Sequence, residues 1–205
     1  MNVMFRSSHS RFMPTYVIIA LNVIVYVYTS VIGEDFITTG DLPIFLFGQV
    51  NYLVMRGWYW QLFTSMFVHA NIVHLAGNMF FFLIFGLRAE ELFRTREYLL
   101  IYFLGGLAGN LLTLLMGPEM ISVGASGAIF GIFGASIIYL RRTIGQSIIG
   151  ALVYAFFLLM ISTGPSVNIL AHLGGLAVGL IFGYKLATKR RPQPTYQYEY
   201  SYQPR

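Results

Sequence analysis

Cysteine is absent from this chain of 205 residues. Its absence removes thiol nucleophiles, thiolate zinc ligands and disulfides, and leaves the redox compartment open. Charge is scarce as well. Only 10% of the residues are charged and 57% are hydrophobic, where a soluble domain carries roughly a quarter charged and about half apolar residues. The excess lies in long apolar runs that hold no Asp or Glu. Such runs can cross a hydrocarbon layer about 30 Å thick, so the chain reads as an all-α polytopic membrane protein.

The formal net charge of +5 does not point to nucleic acid. The basic residues flank apolar runs, at Arg6 and Arg11, at Arg88, Arg94 and Arg96, at Arg141 and Arg142, and from Lys185 to Arg191. That is the pattern of topology signals. No small-x-small cleavage site follows the first run, Tyr16 to Ile32, which reads as a retained span and not as a signal peptide. Later spans are expected up to about Gly86, then over Tyr98–Met116, Ser126–Leu140, Ile148–Ile161 and Ile169–Leu186. The pairs Gly117-Pro118 and Gly164-Pro165 mark the turns before the fourth and sixth.

Between the first two spans, residues 33–70 are too polar to cross and too apolar to float free. The Trp58-Tyr59-Trp60 cluster suits the headgroup level, and this long first loop is expected in or on the outer leaflet. The second span is placed to begin near Asn71, a good N-cap type. One domain is expected over residues 15–187, with an N-terminal segment at 1–14 and a disordered Pro-, Gln- and Tyr-rich tail at 188–205. With both termini in the cytoplasm, only Arg56 of the 13 Lys and Arg residues faces outward, which selects that orientation. A cell membrane is the expected location.

Ionisable and amide groups within spans are costly and mark function. Ser126 lies in Gly124-Ala125-Ser126-Gly127 at the outer start of the fourth span. A helix N-terminus there offers free amide donors for a developing oxyanion, so the serine suits a nucleophile, though it also suits a helix cap. His172 lies near the outer start of the sixth span, where it could serve as a base or as a structural histidine. Gly175 and Gly179 form a small-residue face beside it, matched by Gly127 and Gly131 on the fourth span, and such faces let helices meet closely. His74 and Asn78, four apart, share one face of the second span. They could bond neighbouring helices or donate to an oxyanion. His69 and His74 would point apart on a continuous helix, and no span carboxylate completes a zinc site. Neither metal nor cofactor is expected. What remains is a Ser/His dyad with side-chain donors.

These residues resemble the rhomboid intramembrane serine proteases. The resemblance rests on the G-x-S-G motif at Gly124–Gly127, the H-x-x-x-N pair His74 and Asn78, and the A-H-x-x-G-x-x-x-G helix from Ala171 to Gly179. It covers residues 15–187 and implies six transmembrane helices with a long first loop. It further implies Ser126 as nucleophile, His172 as base, and His74, Asn78 and the Ser126 N–H as oxyanion donors. His69 matches a structural histidine of the family, and Arg56 to Trp60 its aromatic-basic first loop. Phe130 stands where the family often has a tyrosine stacked on the histidine, and Arg94 where it often has a glycine. Transmembrane protein substrates in lipid are the implied partners, with the fifth span and residues 164–168 as gate and lid. An inactive helix-binding relative and a small transporter are the rival readings. The first is disfavoured by the presence of both Ser126 and His172, the second by the lack of paired charges or inverted repeats.

Overall fold

The computed structural model describes residues 13–161 and 167–189. Residues 1–12, the turn at Gly164-Pro165 with most of the expected lid, and the tail from residue 190 lie outside the described residues.

The first long helix, α1 (Pro14–Gly33), starts with proline in its first turn, where the missing N–H costs nothing. The loop that follows folds into α2 (Asp41–Phe47), β1 (Gln49–Val50), α3 (Asn51–Val54) and α4 (Gln61–Thr64). Then come α5 (Ile72–Leu92) and α6 (Thr95–Thr113), extended by a 3-10 turn to Met116. Strand β2 (Ile121–Ser122) precedes α7 (Ser126–Thr143), α8 (Ile148–Ile161) and α9 (Ile169–Lys189). Four of these helices, α1, α5, α6 with its extension and α9, are long and apolar enough to cross a membrane. The protein is an all-α polytopic membrane protein. The expected helices appear in order, each within a few residues of its sequence-based bounds except α5, which runs on to Leu92.

The packing inverts the pattern of a soluble protein. Large apolar side chains such as Ile24, Val31, Phe80 and Ile149 are exposed, while Thr15, Asn22, Thr29 and Ser30 on α1 are buried. Lipid is as apolar as Leu, so burying a large aliphatic chain gains little there, and small or polar residues take the helix contacts. On α9, a Cβ at Gly175 would strike the Gly127 carbonyl, one at Gly179 the Gly131 carbonyl, and one at Gly183 the Ala135 carbonyl. Helices α7 and α9 therefore meet backbone to backbone. Gly174 does the same against Ala108 and Gly109 of α6, at 2.7 Å. The small-residue faces read from the sequence are thus in contact.

The first loop is fastened to this body by buried amides. Strands β1 and β2 pair antiparallel, with Gln49 opposite Ser122. Gln49 Nε2 donates to the Asn110 carbonyl at 2.9 Å, and Asn51 Nδ2 to the carbonyls of Thr113 and Gly117, both at 2.8 Å. Asn110 Nδ2 returns a bond to the Leu62 carbonyl at 2.7 Å. Each amide satisfies backbone carbonyls, on α6 or on the loops against it, that lipid could not.

Candidate active site

The start of α5 decides where its histidine sits. Asn71 is the N-cap, and its Oδ1 accepts the His74 N–H at 2.7 Å. The helix therefore begins where the cap type predicted, and His74 occupies its first turn. Asn78 follows one turn deeper, its Nδ2 donating to the His74 carbonyl at 2.9 Å. An amide has two N–H donors, so one remains for another acceptor.

The segment before α7 brings the serine to this pair. The Gly124 N–H donates to the Ser65 carbonyl at 2.9 Å, and Gly124 adopts φ +120°. A Cβ there would stand 2.9 Å from His74 Cε1 and 4.0 Å from Asn78 Nδ2. Only glycine fits both the backbone and the space. Two residues on, Ser126 opens α7 behind the cap residue Ala125. Its hydroxyl does not cap the helix, as the plainer sequence reading allowed. It lies 2.9 Å from His172 Nε2.

His172 is buried on the first turn of α9. Its ring stacks on Phe130, with centroids 4.4 Å apart and planes 19° from parallel. Nδ1 meets no hydrogen-bond partner among the described residues. The orientation of the imidazole therefore rests on packing and on the Ser126 hydroxyl. Glycines 127, 175 and 179 set its distance, since any side chain there would push α9 away from α7.

His69 requires a correction. It lies on the stretch before α5 and not on a continuous helix with His74, so the two rings touch edge to face at 5.2 Å. Burial, with His74 close by, holds its imidazole far below the usual range, at about 3. Nδ1 faces the Phe67 carbonyl at 3.3 Å, and Thr39 Oγ1 donates to the His69 carbonyl at 2.5 Å. These contacts hold the first loop together and tie it to the first turn of α5.

Sequence reasoning missed Asn168. Its Oδ1 accepts the Ala171 N–H at 3.0 Å, capping α9 one turn before His172. Its Nδ2 donates to Thr113 Oγ1 at 2.7 Å and Ser122 Oγ at 2.8 Å. One side chain thus ties the histidine's helix to α6 and to the strand before the serine. An Asn just ahead of an apolar run is a cap signal that was available in the sequence.

Ser126, His172, His74, Asn78, Phe130 and Asn168 border one cavity of about 680 Å³, lined also by Phe81, Phe85, Phe133 and Ile129, whereas His69 lies outside it. It is large enough for an extended peptide segment of a few residues, and apolar apart from the serine, the histidines and the amides. A hydroxyl against an imidazole, with amide and imidazole donors nearby, can carry out acyl transfer.

Comparison with known proteins gives the same direction. A Rhomboid domain matches residues 56–189. The chain is 41% identical over 133 residues to the mitochondrial RHOMBOID-like protein 6 of Arabidopsis thaliana, covering 62% of this chain and 43% of that one. It is 39% identical over 132 residues to Rhomboid-like protease 3 of Toxoplasma gondii, covering 59% and 49%. A putative rhomboid protease of Bacillus subtilis is 29% identical over 179 residues, covering 84% of this chain and 88% of that protein. The chain thus spans less than half the length of the first two relatives and most of the third.

Proposed function

The chain belongs to the rhomboid family, and from that premise we propose that it is an intramembrane serine protease acting through a Ser126/His172 dyad. The observation that carries the reading is the 2.9 Å contact between Ser126 Oγ and His172 Nε2 inside a cavity bordered by His74 and Asn78. On this reading residues 15–187 form the protease unit, and its substrates are transmembrane segments of other proteins.

The chemistry follows from the contacts. His172 Nε2 takes the Ser126 proton as Oγ attacks a peptide carbonyl. Negative charge gathers on the carbonyl oxygen. The Ser126 N–H, in the first turn of α7, has no acceptor within its own helix and is free to bind that oxygen. His74 and the second N–H of Asn78 complete the donor set. His172 then gives the proton to the leaving amine, and water repeats the sequence on the acyl-serine. Among the described residues no carboxylate orients the imidazole; the Phe130 face supplies that support.

Burial shapes what can be cut. A helical substrate keeps its carbonyls bonded to its own N–H groups, so segments that unwind easily enter the cavity best. Proteoliposomes holding the protein and a single-span reporter test the reading. Cleavage and fluorophosphonate labelling should both disappear in Ser126→Ala, and cleavage in His172→Ala. Undiminished labelling of Ser126→Ala would reject the dyad.

A further inference from the structure

The end of the bundle away from Ser126 carries a second set of charged contacts that the proteolytic reading does not use. Arg141 and Arg142 occupy the last turn of α7, about 23 Å along the helix from Ser126 at 1.5 Å per residue. They diverge to its two neighbours. The Arg141 guanidinium lies 5.2 Å from the Tyr154 ring centre on α8, and that of Arg142 lies 4.7 Å from the Tyr184 ring centre on α9. Lys185 and Lys189 are exposed on the same end of α9.

We propose that this end of α7, α8 and α9 binds the phosphate headgroup of an anionic phospholipid, held by Arg141 and Arg142. The first support is charge. No Asp or Glu occurs between Glu119 and Glu199, so these three helices carry no carboxylate of their own. Among the described residues, the carboxylates at this end lie around the α5–α6 turn and are engaged there. Glu90 accepts the Thr15 N–H, Glu91 pairs with Arg88, and Glu97 accepts the Arg94 N–H.

Geometry is the second support. A guanidinium laid on an aromatic face keeps its in-plane N–H donors pointing outward, a fork suited to phosphate. Gly150 makes room for this at Arg141, because a Cβ on it would collide with Arg141 Nη1. The surroundings separate a lipid from a soluble phosphate. Tyr154 and Tyr184 are 57% and 40% exposed, and Ile149, Val153 and Ile181 on the same two helices are exposed too. A headgroup on the arginines would lay its acyl chains along these side chains. A free phosphate would leave them uncovered.

Native mass spectrometry of the full chain in neutral detergent tests this, with phosphatidylglycerol and phosphatidylcholine offered at equal concentration. The wild type should retain phosphatidylglycerol preferentially, and Arg141→Ala or Arg142→Ala should each lower that retention about fivefold, the effect of one basic residue at a lipid surface. Gly150→Ala displaces only the flexible end of Arg141, so it should lower retention with an unchanged melting temperature. Arg88→Ala, whose partner is Glu91, should retain lipid as the wild type does. Equal retention of the two lipids would overturn the proposal. So would full retention in the double arginine variant, a loss in Arg88→Ala equal to that of the double variant, or displacement by millimolar glycerol phosphate.

Discussion

Phe130 and His172 lie face to face, their ring centroids 4.4 Å apart. With no protein acceptor on His172 Nδ1 among the described residues, this contact is the main restraint on how the imidazole tilts toward Ser126. Phe130→Ala should slow turnover by at least tenfold with substrate binding little changed, whereas Phe130→Tyr should stay close to wild type. Single-turnover cleavage in proteoliposomes separates the two. Full activity in a folded Phe130→Ala protein would show that the ring does not orient the base.

His74 and Asn78 make a paired prediction. Losing one oxyanion donor typically costs a factor of roughly 10² to 10³ in turnover, and less where other donors remain. Asn78→Ala and His74→Ala should each be slow but measurable, with KM near normal. The double variant should lose less than the product of the two, as expected for groups serving one oxygen. Asn78 also bonds the His74 carbonyl, so melting must be recorded beside turnover. A folded Asn78→Ala protein with normal turnover would remove it from the donor set.

Asn168 can be divided into its two tasks. Asn168→Ser keeps a side chain able to cap α9, but is too short to bridge to both Thr113 and Ser122 as the amide does. It should melt close to wild type and turn over more slowly, with kcat and not KM affected. Wild-type kcat in Asn168→Ser would reduce the residue to a helix cap.

The buried His69 predicts a pH dependence of stability. The folded protein withholds a proton until about pH 3, while the unfolded chain accepts it near 6.5. The unfolded state therefore binds more protons between these values. Stability is unaffected by this group above about pH 6.5 and falls as pH drops toward 3, by up to about 1.4 kcal/mol per pH unit. Melting temperatures in detergent from pH 7 to pH 5 should decline, and less steeply in His69→Gln. Parallel curves for the two proteins would show that His69 is protonated equally in both states.

Orientation is open to a direct check. Reporters fused after Arg88, Arg142 and Arg191 should all report the cytoplasm, and one near Asp41 the outside. Arg142 and Asp41 on the same side would end the six-span arrangement.

Much of this site was legible because local rules carried it. Asn71 is a cap by type, and the i,i+4 spacing of His74 and Asn78 sets their common face whatever surrounds them. The Gly175–Gly179 face announced a close helix contact. Its partner, Gly127–Gly131, followed from the same spacing. What stayed hidden depends on chain paths that no local pattern fixes. The pairing of Gln49 with Ser122 joins residues 73 apart in sequence. The contact of His69 with His74 arises because the chain turns sharply between them, where a helical reading would have separated them. The amides Gln49 and Asn51 look like ordinary loop residues, and Asn110 stands out in its span only as a polar group without an evident partner, until the loop is seen to lie on α6.

The backbone contact between α7 and α9 also bears on the life of the chain before it is complete. The serine and its base reach each other only when α9 is in place against the Gly127 and Gly131 carbonyls. During synthesis, a chain that has inserted everything up to α8 holds Ser126 without His172. On the proposed dyad, cleavage waits for the docking of α9, and the incomplete chain cannot act on the nascent helices around it.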